Sequence, residues 1–85
     1  MAIEIFYFAR VREAIGHSAE TVAPPDQVST IADLIAWLAA RGGGYAEAFA
    51  DPAQIRAAIG EEFADHDTLI AGAREIALFP PVTGG

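Results

Sequence analysis

The chain ends in Leu78-Phe79-Pro80-Pro81-Val82-Thr83-Gly84-Gly85, and this run holds the residue types and spacing best suited to chemistry. Proline fixes φ and removes a backbone donor, so Pro80-Pro81 should end the preceding strand and send the following residues along an extended path. Gly84 and Gly85 lack a Cβ and can thread a channel too narrow for any other residue, which would bring a terminal carboxylate close to a partner's catalytic groups. The reactive atom would be the carboxyl carbon of Gly85. A carboxylate resists attack because of its charge and resonance, so this chemistry requires prior activation. No spacer of Ser, Lys or Glu separates Glu75-Ile76-Ala77-Leu78-Phe79 from the tail, as a fusion scar would show.

The other candidates are weaker. Asp65-His66-Asp67 has the residue types of a metal site, but it is three neighbours on an expected loop with no second cluster, so a solvated acidic loop is the better reading. His17 follows Gly16 in an expected turn and has no adjacent nucleophile to activate. Gly42-Gly43-Gly44 lacks the Lys-Ser/Thr that completes a phosphate loop and reads as a helix end followed by a loop. Trp37 should be partly buried at the edge of a helix stripe.

Composition narrows the class. Eighty-five residues, 53% of them hydrophobic, make one small domain that can fold alone. With zero cysteines there is no disulfide, no Cys-ligated zinc and no thiol nucleophile. A formal charge of −7 argues against nucleic acid and favours partners with basic surfaces. All five basic residues are arginine: Arg10, Arg12, Arg41, Arg56 and Arg74. The absence of lysine removes any Schiff-base candidate and any ε-amine on which a chain of copies could be built. No apolar run approaches the roughly 20 residues that span a bilayer, and Met1-Ala2-Ile3-Glu4 lacks a basic signal-peptide start, so a cytoplasmic location is expected.

The elements that must position the tail follow from pattern. Ala2 to Phe8 predicts a strand with apolar groups on both faces, as in an interior strand. Val11 to Ile15 predicts one helical turn closed by Gly16, and Ala19 to Ala23 a strand running back to Pro24-Pro25. Ser29 or Thr30 can cap a helix beginning at Ile31, with Asp33 favoured in its first turn. Ile31, Leu34, Ile35 and Leu38 then form one buried stripe. Arg41 to Gly44 should end that helix, Tyr45 to Phe49 should add a short helical turn, and Asp51-Pro52 a turn. Strands are expected at Ile55 to Ile59, Glu61 to Ala64 and Glu75 to Phe79. With one main crossover helix and a right-handed connection, the last strand can lie parallel beside the first, giving an α+β fold with a mixed sheet. The expected organisation is a domain over 1–79 and an extended, flexible tail over 80–85.

The segment Leu78 to Gly85 resembles the C-terminus of the MoaD/ThiS family of sulfur carriers, which includes the small subunits of molybdopterin synthases and has a ubiquitin-like β-grasp fold. Phe6-Tyr7-Phe8-Ala9-Arg10-Val11-Arg12-Glu13 resembles that family's first strand and turn, and Ala57-Ala58-Ile59-Gly60 its mid-chain strand. The resemblance implies that an ATP-dependent, E1-like enzyme adenylates Gly85, and that a sulfurtransferase then supplies sulfur to give a C-terminal thiocarboxylate. It implies that Pro80, Pro81, Val82, Thr83 and Gly84 enter the large synthase subunit in a 2:2 heterotetramer. There the sulfur would pass to a cyclic pyranopterin to build the dithiolene that binds molybdenum. No cofactor is expected on the chain itself; ATP belongs to the activating enzyme. The resemblance also places partner contacts at Phe8, Phe63 and Phe79; Arg12, as a surface arginine, is a further candidate to pair an acid of a partner. A protein modifier that acylates amines, a carrier for another pathway such as thiamine, and a plain binding module remain alternatives.

Overall fold

Ile3, Ile5 and Tyr7 are buried along the first strand, β1 (Ile3–Tyr7), while Glu4 between them is exposed and Phe6 half-buried. The computed structural model describes residues 2–81. β2 (Ala19–Val22) returns antiparallel to β1, with Ile3 opposite Val22. β3 (Arg56–Ile59), β4 (Glu62–Ala64) and β5 (Glu75–Phe79) complete a five-stranded sheet in the order β2-β1-β5-β3-β4. β5 runs parallel to β1, with Tyr7 opposite Leu78, and antiparallel to β3. The expected pairing of first and last strands is therefore present, and the strand that leads into the tail occupies the centre of the sheet.

One face of the sheet is covered by the crossover helix α2 (Ile31–Ala39). Of the two candidate caps, the structure uses Thr30: its hydroxyl accepts from the Asp33 backbone N–H at 3.1 Å, and the Asp33 carboxylate accepts from the Thr30 backbone N–H at 3.2 Å. This reciprocal pair satisfies donors that a helix start would otherwise leave open. Backbone and side-chain hydrogen bonds from Ser29, joined by the Thr30 N–H, hold the Asp33 carboxyl below its ordinary value. Ile31, Leu34, Ile35 and Leu38 are all buried against Ile3, Ile5, Ile76 and Leu78. Each such side chain contributes about 1.5 to 3 kcal/mol on leaving water, so this stripe is the main source of stability.

The helices around this core depart from expectation in two places. α1 (Ala9–Ile15) is a seven-residue helix rather than a single turn from Val11. It begins directly after Phe8 through Ala9, whose φ of 54° is a left-handed conformation that pattern reading does not anticipate for alanine. Gly16 closes it in the left-handed region with its N–H on the Arg12 carbonyl at 2.8 Å. The glycine run is also more than a helix end: α3 (Gly43–Ala48) starts inside it. A Cβ built on Gly44 would overlap the Ala14 carbonyl, so Gly44 is where α3 approaches the α1 backbone. A 3-10 turn, Pro52–Gln54, then leads to β3. Among the described residues no helix is long and apolar enough to cross a membrane.

Candidate functional site

The strand directions collect four chain segments around the exit of the last strand. β1 ends at Tyr7-Phe8, β5 ends at Phe79, β3 begins at Arg56 opposite Phe79, and β4 ends beside Ala57. Phe8 donates its backbone N–H to the Leu78 carbonyl at 3.3 Å, which ties the start of α1 to the end of β5. Pro80 and Pro81 follow without regular structure, in keeping with a strand terminated by proline. Both are half-buried. Val82, Thr83, Gly84 and Gly85, which carry the rest of the tail assignment, lie outside the described residues.

On the face of the sheet away from α2, alternation and register produce an apolar row. Phe63 of β4 lies beside Ala58 of β3, Ala58 beside Ala77 of β5, and Ala77 beside Phe6 of β1. From β4 across to β1, this row presents only methyl groups and aromatic rings. Phe63 is 83% exposed, and its ring centroid lies 6.0 Å from that of Phe79, diagonally across β3 where Ala58 offers only a methyl. Arg56, Ala57, Phe63, Ala64, Asp65 and Phe79 line a cleft of about 300 Å³ at this corner. Phe8, 48% exposed, sits at the same end of the sheet. The structure therefore gathers Phe8, Phe63 and Phe79 around the root of the tail. Phe6 belongs with them and is missed by the sequence reading, although the expected parallel pairing of β1 and β5 already places it beside Ala77. Arg12 is exposed on α1, one turn after Phe8, and among the described residues no carboxylate lies within salt-bridge distance of it. Leu69, 65% exposed beside Thr30, is an apolar side chain outside this corner.

The titratable groups converge elsewhere. Glu20 on β2 accepts hydrogen bonds from Tyr7 Oη at 2.7 Å, Tyr45 Oη at 2.6 Å and Arg41 Nη1 at 2.9 Å, with His17 Nε2 at 3.1 Å. Arg41 also lies over the rings of Trp37 and Tyr45, 5.0 and 5.1 Å from their centroids. Partial burial alone would raise the Glu20 carboxyl, but hydrogen bonds from Tyr45, Tyr7, His17 and Arg41 outweigh it and bring it down to about 2. Burial, then the bond to Glu20, pushes the Tyr7 phenol far above its ordinary value, and the same two causes raise Tyr45. Every partner in this cluster is occupied by another, and its Tyr7, opposite Leu78 on β5, is buried in the core rather than exposed with the rings at the corner. A shifted carboxyl of this kind is as characteristic of a structural network as of a catalytic one. His66, the centre of the Asp65-His66-Asp67 run, has its Nε2 2.7 Å from the Ile55 carbonyl. Among the described residues no three His, Cys, Asp or Glu side chains are grouped to hold a metal ion.

A sheet with one crossover helix, a central last strand and an aromatic corner at its exit is the geometry of a ubiquitin-like β-grasp. A family model described as the ThiS family matches residues 5–85, almost the whole chain and all of its tail. The chain belongs to the ThiS family. The molybdopterin synthase sulfur carrier subunit of Escherichia coli K12 is 35% identical over 83 residues, which cover 98% of this chain and 99% of that protein. The protein of the same name from Mycosarcoma maydis is 32% identical over 90 residues, covering 99% and 94%. Among solved structures, small archaeal modifier protein 1 of Haloferax volcanii superposes with a TM-score of 0.71 at 26% identity, covering 95% of this chain and 98% of that one. In this ThiS-family chain the aromatic corner and the tail root together form the candidate site.

Proposed function

We infer that this chain is the sulfur carrier subunit of a molybdopterin synthase. The observation that carries the reading is its similarity over nearly its full length to proteins of that name, together with a ThiS-family match that runs through Gly85. The ordinary carboxylate of Gly85 is inert, so the cycle begins when an E1-like enzyme uses ATP to form an acyl adenylate there. A sulfur donor then displaces AMP and leaves a thiocarboxylate. The large synthase subunit receives the tail, Pro80 to Gly84 lying in its channel, and the sulfur of Gly85 passes to a cyclic pyranopterin. Two such rounds complete a dithiolene. Acid and base groups belong to the large subunit, since the described residues near the tail root offer none arranged for proton transfer. Phe6, Phe8, Phe63 and Phe79 are the docking face, whose exposed aromatic rings have the character of interface anchors. Arg12 adds a charged contact at its rim, and a 2:2 assembly with the large subunit follows the family pattern.

A second reading has a specific observation in its favour, the likeness to a small archaeal modifier protein. In that case an amine, rather than sulfur, attacks the same activated Gly85. A reconstituted synthase separates the two. With large subunit, activating enzyme, ATP, a sulfur donor and the cyclic pyranopterin, the full chain should yield the dithiolene product. Deletion of Gly85 should abolish it while leaving binding to the large subunit intact. A full chain that becomes joined to other proteins but gives no dithiolene would establish the modifier reading instead.

A further inference from the structure

We propose that Ala9 is a further contact residue of the docking face: its methyl group, presented on a strained left-handed turn beside Phe8, packs against the large synthase subunit. The inference rests on the partner named in the proposed function and adds a contact to it. What points to it is a backbone strain that the free chain does not need.

A left-handed backbone crowds the Cβ of an L-residue against a carbonyl oxygen, and glycine relieves that crowding because it has no Cβ. This chain uses glycine in that way elsewhere. Among the described residues, positive φ occurs at Gly16, Gly42, Gly43, Gly60, Gly72 and Ala9. At each of those glycines a built Cβ would meet nothing within 4 Å, so conformation rather than space accounts for glycine there. Ala9, with φ 54°, is the exception.

The bonds on either side force the turn. The Phe8 N–H donates to the Leu78 carbonyl at 3.3 Å, and the Phe8 carbonyl accepts from the N–H groups of Val11 at 3.2 Å and Arg12 at 3.4 Å. One residue thus ends the sheet and opens α1, and the chain must turn sharply directly after it. Glycine would favour that turn over alanine by about two- to fivefold in the folding equilibrium. Within the chain the methyl has no evident use, because Ala9 is exposed and lies outside both the core and the side chains packed on it. Its neighbours are those of the corner: Phe8, 48% exposed, precedes it, and exposed Arg12 follows on α1. Backbone strain that the fold itself does not use collects where a surface engages a ligand or partner. A methyl at this position extends the apolar surface of the Phe8 ring toward the partner already assigned to that ring.

The test measures binding of the full chain to the large subunit by titration calorimetry, and thermal unfolding of the chain alone, for wild type, Ala9→Gly and Gly60→Ala. Gly60, with φ 62°, follows β3 and donates its N–H to the Glu75 carbonyl at the start of β5. It therefore lies at the opposite end of the sheet, and Gly60→Ala introduces the same kind of strain away from the corner. Ala9→Gly should raise the unfolding midpoint by about 3 °C, yet weaken binding about fourfold through loss of one buried methyl. Gly60→Ala should lower the midpoint by a similar amount and leave binding unchanged. An Ala9→Gly chain that gains stability and binds as well as wild type would overturn the inference. So would one that loses stability, since the methyl would then serve the fold. Failure of the wild-type chain to bind the large subunit would instead count against the proposed function, and the inference would fall with it.

Discussion

The Glu20 cluster and the aromatic corner at the tail root are built on opposite terms. Around Glu20, Tyr7, His17, Arg41 and Tyr45 satisfy one another, and separate parts of the chain are bound through a single carboxylate. At the corner, Phe8 and Phe63 expose apolar rings and Arg56 and Arg12 expose charge with no ion-pair partner among the described residues. The first region uses polar groups to fix the fold. The second leaves surface uncovered, as a docking face requires. Convergent titratable groups and a shifted carboxyl therefore mark the scaffold here, whereas the corner where the last strand leaves the sheet is marked by exposed aromatic rings.

Substitutions should separate the two regions, and the largest stability effect is expected on the scaffold side. Gly44→Ala forces a Cβ into the Ala14 carbonyl, where backbone meets backbone and neither can step aside cheaply. Its cost should be about 3 kcal/mol or more in urea unfolding. Glu20→Ala strands two phenols and an arginine and should cost about 2 to 3 kcal/mol, with sulfur transfer by the remaining folded protein unchanged. Loss of transfer at full folding would break the comparison by giving Glu20 a functional part.

Acid titration sharpens the same point. The Glu20 carboxyl is held at about 2 against an ordinary 4.5, so the folded state favours its charged form. Its contribution is complete above pH 4.5 and is lost as pH falls from there toward 2, an effect of about 2 to 3 kcal/mol after solvent screening. The unfolding free energy of Glu20→Gln should lack most of that slope. On the other side of the comparison, Phe63→Ser should weaken binding to the large subunit by about 1 to 2 kcal/mol, tenfold or somewhat more, and shift unfolding by less than about 0.5 kcal/mol. A Phe63 variant that unfolds instead would make that ring part of the core.

Much of this architecture is legible in the chain because its signals are local. The Thr30-Asp33 cap, the Ile31 to Leu38 stripe and the alternation of β5 each need only a few neighbouring residues, and with the crossover rule they lead to the parallel pairing of first and last strands. The pattern that marks the tail is equally local, and residues 82–85 of it lie outside the described ones. Gly44 reads as part of a loop because its role depends on Ala14, which belongs to a different helix. The Glu20 cluster is invisible for a related reason: its partners Tyr7, Arg41 and Tyr45 lie 13, 21 and 25 residues away in sequence. Phe6 escapes notice although β1 alternation and its pairing with β5 together point to it.

The most direct test of the account is the intact mass of the full chain after incubation with ATP, the E1-like enzyme and a sulfur donor. The account predicts exchange of one oxygen for sulfur, localised to Gly85 by fragmentation. An unchanged terminus, in a mixture that loads a related carrier, would contradict it.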